Sequence, residues 1–229
     1  AVLGRGDAAA LLASVLDARD AAVARGGDAL SSVLGATSDD GAARRYDVRL
    51  PFDDTIEAAT RTLLAGPLGE IVDALVGDGA ELWECAALIS ETRAPPQAVH
   101  ADTIWDAAPC LFTAFVALQD VDDTMGPTFF FPGTHASPEL QDALDDTSPE
   151  CLEGRDAAVA LLGAGDAAVY DGRVAHAGGP NDSRTRALFY LTFRHPSGDA
   201  DDLGNADARS IDAALRARGL TLGDLRPPR

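Results

Sequence analysis

The sequence contains no lysine; all 18 of its basic residues are arginine. Against 37 acidic residues they leave a formal net charge of -19. Such a surface repels phosphate backbones and anionic headgroups, so neither nucleic acid nor a membrane surface is an expected partner. No apolar run approaches the ~20 residues of a membrane-spanning helix. Cysteine is scarce: Cys85, Cys110 and Cys151 are odd in number and widely spaced. They form neither a disulfide framework nor a zinc motif, and small buried hydrophobes are the expectation. An intracellular setting is expected over secretion, although no compartment signal is legible. The chain begins at Ala1, so any targeting peptide would lie outside it.

What is present suits one domain with a substantial core: 229 residues, 46% hydrophobic. Residues 1–80 read as mostly helical. Asp7 to Arg25 predicts an amphipathic helix with Leu11, Leu12, Val15, Leu16 and Val23 near one stripe, stopped by Gly26-Gly27. The polar stretch Thr37 to Gly41 leads to a short strand at Tyr46 to Leu50. Asp54 and Glu57 open a second helix, and Pro67 suits the first turn of a third reaching Val76.

From Leu82 the texture changes to short apolar runs bounded by Gly, Pro and Asp. These are Leu82–Ile89, Leu111–Gln119, Thr128–Phe131, Ala157–Leu162, Ala167–Tyr170 and Ala187–Phe193. Their length and aromatic content favour strands. Residues 82–196 therefore form a strand-rich core, and 197–229 a polar extension with one helix near Ser210 to Arg218. The expected fold is mainly β (α+β), a jelly-roll or double-stranded β-helix with helices packed on one sheet.

Four histidines occur, His100, His135, His176 and His195. A lone histidine is more often a surface or hydrogen-bonded residue than a ligand, and an isolated His-x-Asp arises readily by chance. His100 and Asp102, however, are two residues apart, which on extended backbone puts both on one face. Adding His176 from a distant strand completes two imidazoles and one carboxylate on one side of a metal, the set of non-haem Fe(II) oxygenases. Arg186, ten residues past His176, precedes the apolar run. Its planar fork suits a dicarboxylate. Arg184 is its competitor on the same strand face.

These residues also carry a resemblance. His100-Ala101-Asp102, Leu118-Gln119-Asp120-Val121, Gly126-Pro127, Phe131-Pro132-Gly133-Thr134-His135, Gly165-Asp166, Asp171-Gly172-Arg173, His176, Asn181 and Arg186 together resemble the phytanoyl-CoA dioxygenase family. That family belongs to the Fe(II)/2-oxoglutarate oxygenases built on a double-stranded β-helix. The resemblance spans roughly Leu82 to Pro196.

The resemblance implies iron ligation by His100, Asp102 and His176, with Arg186 holding 2-oxoglutarate. It also implies an aromatic residue near the cosubstrate, Phe115, which would equally serve as a core residue. His135 falls in a turn where the family's histidine is not a ligand; His195 is expected to face solvent. Trp105 either lines a substrate mouth or packs. Met125 stands where the family often has Asn. Arg44, Arg45 and Arg49 read as a solvated basic cluster, and the acyl-CoA substrate of the family name is not transferred to so acidic a chain.

The activity this implies is hydroxylation of a small organic molecule, yielding succinate and CO2, with Fe(II) and 2-oxoglutarate required and ascorbate an optional addition. Asp102 matters because related halogenases carry a small residue there. Three alternatives stay open. One is a prolyl-type hydroxylase acting on protein, another a non-catalytic metal-binding β-helix. The third is a cupin-like metalloenzyme with no use for Arg186.

Overall fold

The computed structural model describes residues 1–25, 32–33, 42, 44–103, 108–145, 149–196 and 213–227. Two antiparallel sheets face each other, and helices cover the outer side of the larger one. In chain order the elements begin with α1 (Arg5–Arg25), β1 (Ser32–Val33), β2 (Arg45–Arg49), α2 (Asp54–Leu64), α3 (Pro67–Val76), β3 (Glu81–Ser90) and β4 (Leu111–Ala117). They continue with β5 (Thr128–Phe130), α4 (Pro138–Asp145), β6 (Ala158–Val159), β7 (Ala167–Asp171), β8 (His176–Gly178), β9 (Arg186–Arg194), α5 (Ala213–Arg218) and α6 (Leu222–Leu225). The major sheet runs β1-β2-β3-β9-β4-β7 and the minor sheet β6-β5-β8. This is the double-stranded β-helix expected.

Alternation along the strands divides the molecule into two apolar layers. On β9, Ala187, Phe189, Leu191 and Phe193 face the helices and join Leu63, Leu68 and Val72 in the main core. Leu188 and Tyr190 point the other way, between the sheets, with Phe115, Tyr170 and Met125. The strand is buried on both sides, which is why it reads as an unbroken apolar run. The major sheet also takes in β2, which pairs along its length with β3. It thus extends beyond the 82–196 segment.

Local details depart from the sequence pattern in instructive ways. The buried stripe of α1 is Ala8, Leu11, Val15 and Ala22, while Val23 is half exposed. At 100° per residue Val23 turns away from Leu11, and small alanines let the helix approach the sheet closely. The cap of α2 is Asp53, one residue before the expected start, accepting from the Thr55 and Ile56 amides at 3.0 and 3.1 Å. Gly69 in α3 has no room for a side chain, since a Cβ would lie 1.9 Å from the Leu64 carbonyl oxygen.

The helix α4 and the short strand β8 had no clear sequence signal. His176 begins β8, a short turn after β7 ends at Asp171. His195 is half-buried where exposure was expected, and its amide donates to Cys110 O at 2.8 Å. Cys85 and Cys110 are buried as expected, whereas Cys151 is only partly so. Trp105, Gly26-Gly27, Thr37 to Gly41 and Ser210 to Asp212 lie outside the described residues.

Side-chain amides from two loops, after β4 and before β9, tie down the start of β9. Gln119 donates to Ala187 O and accepts from Ala187 N, both at 3.1 Å, so its amide pairs with the strand as a peptide group would. Asn181, fully buried, donates to Ser90 O and Arg184 O and accepts from Ser183 N. Gly126 must be glycine. Its φ is 65°, and a Cβ would meet Gly179 O at 2.4 Å.

Candidate metal centre

Three segments converge beside the apolar cluster between the sheets. The segment carrying His100 meets the start of β8 through a reciprocal backbone pair: His100 N donates to His176 O at 3.0 Å and His176 N to His100 O at 2.8 Å. Two residues on, Asp102 N donates to Gly172 O at 2.8 Å. The His-x-Asp pair is thus pinned as an added strand along the β7–β8 connection. Both of its side chains turn towards His176.

The side chains arrive poised for a cation. His176 Nε2 lies 3.6 Å and His100 Nε2 3.8 Å from Asp102 Oδ1. One ligand atom from each of the three residues falls within 4.8 Å of the others. Among the described residues this is the one cluster of three or more His, Cys, Asp or Glu with that convergence. His135 is not part of it.

Each imidazole is oriented by a main-chain carbonyl two residues upstream. His100 Nδ1 is 2.9 Å from Ala98 O, and His176 Nδ1 is 2.9 Å from Val174 O. A carbonyl only accepts, so Nδ1 carries the hydrogen and the Nε2 lone pair of each ring points into the centre. Such outer partners fix the tautomer that metal ligation needs.

Asp102 is divided between two tasks. Tyr170 donates its hydroxyl hydrogen to Oδ2 at 2.8 Å, and Oδ1 faces the imidazoles. Burial, and then the Asp102 charge, push the Tyr170 hydroxyl well above its ordinary value, so it stays a donor. Burial pulls the His176 imidazole down, only partly opposed by Asp102, which favours the neutral ligand form. Tyr170 escaped the sequence reading. Its alternation with Ala168 on β7 places it on the inner face, but its partner is 68 residues away.

The aromatic lining is continuous with this centre. The Tyr170 ring lies 4.8 Å from His176, and Phe130 stacks on His176 at 5.6 Å. Phe115 sits between Tyr170 and Tyr190, at 5.2 and 5.9 Å.

The two arginines weighed for the cosubstrate occupy opposite environments. Arg184 has a side chain 60% exposed and reaches Asp122 at 3.4 Å. Arg186 is 0% exposed; one of its amino groups donates to Gly126 O, and burial together with the nearby Arg45 charge lowers its pKa to about 9. Its Nε and other amino group have no partner. Arg45 is 1% exposed, which corrects the expectation of a solvated cluster for it. On β2 it takes an inward position of the alternating strand, whereas Arg49 at the strand end is exposed.

A double-stranded β-helix in which two histidines and a carboxylate converge defines a class, the cupin-like non-haem metal proteins. The family follows from comparison. The profile of the phytanoyl-CoA dioxygenase (PhyH) family matches residues 36–187, more than half of the chain, and the chain belongs to that family. A curated relative, "Dioxygenase af480" of Aspergillus fumigatus, is 28% identical over 204 residues, covering 86% of this chain. This chain spans 62% of that relative's length.

Solved structures share the fold. The epimerase SnoN from nogalamycin biosynthesis, in complex with Fe3+, alpha ketoglutarate and nogalamycin RO, is 25% identical. It superposes with a TM-score of 0.61 over 92% of this chain and 86% of its own. The carbocyclase SnoK is 18% identical, with a TM-score of 0.63 over 93% and 87% of the two chains. HygX from Streptomyces hygroscopicus, with nickel, 2-oxoglutarate and hygromycin B bound, is 16% identical, with a TM-score of 0.61 over 92% and 90%. No helix among the described residues is long and apolar enough to cross a membrane.

Proposed function

We propose that this chain is a 2-oxoglutarate-dependent non-haem iron dioxygenase that hydroxylates a small organic substrate, releasing succinate and CO2. The observation that carries the reading is the convergence of His100 Nε2, His176 Nε2 and Asp102 Oδ1, each held by a separate hydrogen-bond partner or backbone pair. Two neutral imidazoles and one carboxylate on a single side fit Fe(II) and leave coordination positions free. When bound, iron with 2-oxoglutarate supplies the oxidising power; the protein supplies geometry and a dry pocket.

The chain's own residues divide the work. His100, His176 and Asp102 hold the metal, and Tyr170 keeps one Asp102 oxygen turned away from it. Arg186 pairs with the far carboxylate of 2-oxoglutarate, and its two unpartnered nitrogens are the donors such a carboxylate would satisfy. Phe115, Tyr170 and Phe130 line the cavity with rings that exclude water. Hydroxylation is favoured over halogenation because the Asp102 carboxylate fills the position a halide would take. A small-molecule substrate accords with the nogalamycin and hygromycin B compounds bound by similar structures.

The test adds Fe(II), ascorbate and 2-oxoglutarate to purified protein without oxygen and reads the visible spectrum. A weak charge-transfer band is expected. Iron uptake without that band would point instead to a cupin-like enzyme needing no cosubstrate, and no iron uptake would end the reading. Substrate identity then comes from a metabolite screen that reads succinate.

A further inference from the structure

One polar row crosses the inner face of the major sheet. The pairings Glu84 with Thr192, Thr192 with Thr113 and Thr113 with Tyr170 align these residues on β3, β9, β4 and β7. All four are buried. Glu84, Thr192 and Thr113 lie two residues from Ala86, Tyr190 and Phe115 of the apolar cluster between the sheets, so they share its face. The next two rows, Ala86–Tyr190–Phe115 and Leu88–Leu188–Ala117, carry the apolar filling such a position normally holds.

The Thr113 and Thr192 hydroxyls meet at 3.1 Å in the buried interior. Stability alone gives no reason for them. A buried hydroxyl pair replaced by methyl groups of the same shape is close to neutral, and valine suits a strand at least as well as threonine. The other end of the row does give a reason, because Tyr170 reaches Asp102.

Counting hydrogens fixes the direction of the row. An ionised Asp102 only accepts, so the Tyr170 hydroxyl directs its single hydrogen to Oδ2. Its oxygen is then left to accept. Thr113 stands opposite Tyr170 on β4, and its hydroxyl counters the upward pull of burial on Tyr170, the sign of a donor to the phenol oxygen. With that hydrogen committed, Thr113 can only accept from Thr192. Both threonines are β-branched, so their side-chain torsions are stiff and their oxygens stay where the strands put them.

We propose that Thr113 and Thr192 are positioning residues for the metal centre, forming with Tyr170 a one-directional chain of hydroxyls that ends on Asp102 and holds that carboxylate in its metal-facing orientation. The inference rests on the metal reading above. Neither threonine touches the metal; both act through Tyr170. Each donor in the chain polarises the next, so removing the Thr113 hydroxyl weakens the Tyr170–Asp102 bond without abolishing it.

The experiment titrates Co(II) into the purified protein, read by calorimetry and by the visible ligand-field bands of the bound ion. Thr113→Val is expected to lower Co(II) affinity about threefold to tenfold, less than Tyr170→Phe does, and to shift the bands. Thr192→Val should act in the same sense but less strongly, and Thr113→Ser should restore wild-type binding. The double variant of Thr113→Val with Tyr170→Phe is decisive. It should bind Co(II) no more weakly than Tyr170→Phe alone, because the chain acts only through that hydroxyl. A merely structural threonine would add its full effect.

Co(II) affinity and bands of Thr113→Val at wild-type values overturn the proposal, as do effects of Thr113→Val and Tyr170→Phe that simply add. Should Thr113→Val fail to fold, Thr192→Val is judged by the same two criteria. Wild-type protein that takes up no Co(II) at all overturns the metal reading itself and the proposal with it. That outcome is distinct from loss confined to the variants.

Discussion

The Tyr170 hydroxyl donates to Asp102 Oδ2 at 2.8 Å, and this one bond decides which carboxylate oxygen faces His100 and His176. Without it the carboxylate is free to rotate, and both oxygens compete for the same place. Tyr170→Phe keeps the ring packed on Phe115, Phe130 and His176 while removing only the donor. Metal affinity is predicted to fall by about tenfold to a hundredfold with little change in thermal stability. A metal titration followed by calorimetry checks this; unchanged affinity would show that backbone pinning alone orients Asp102.

Asp102 itself is the anionic member of the cluster. Asp102→Ala is predicted to abolish succinate formation and to weaken Fe(II) binding sharply. The two imidazoles should remain oriented through Ala98 and Val174. A variant that still turned over at the wild-type rate would remove the carboxylate from the metal set.

Arg186 sets stability against binding. Replacing it with Met fills the space without a buried charge, and the ligand-free protein is predicted to gain about 1–4 kcal/mol while losing 2-oxoglutarate binding. The pH dependence has a definite sign. Below the depressed folded value of about 9 the guanidinium is charged in both folded and unfolded chains, and the full burial penalty is present. Above it, the unfolded chain keeps its proton while the folded one releases it, so wild-type stability gains a rising contribution with pH. Denaturant melts of wild type and Arg186→Met across that range test it: the difference between them should narrow as pH rises past about 9.

Far from the cavity, Asp53 caps α2 through the Thr55 and Ile56 amides. Asp53→Ala is predicted to cost about 1 kcal/mol. The melting temperature should drop by roughly 2–4 °C. Metal and 2-oxoglutarate affinities should stay at wild-type values, which calorimetry on the same sample verifies.

Much of this arrangement could be read from residue order, and the rest could not for physical reasons. The His-x-Asp spacing encodes a shared face because alternation in extended chain is local. The central strands β3, β4 and β9 announced themselves because both of their sides are buried. Tyr170 and Arg45 were not legible in the same way. Tyr170 gains its meaning only from Asp102 across the cavity. Arg45 looks like any member of an Arg-rich surface segment until β2 is seen paired with β3 and its inward positions become enclosed. The strand β8 is three residues long, too short for any periodicity to declare it.

The glutamine that leaves β4 has an effect beyond closing a loop. Sliding β9 by a single residue against its neighbour would swing Arg186 round to the helix-covered side, along with every other inward-pointing group of that strand. The Gln119 amide matches both hydrogen-bonding groups of Ala187 in only one alignment. A neutral side chain therefore proofreads where the buried cation ends up, and a change as mild as Gln119→Leu would loosen that check while leaving every charged group of the cavity in the sequence.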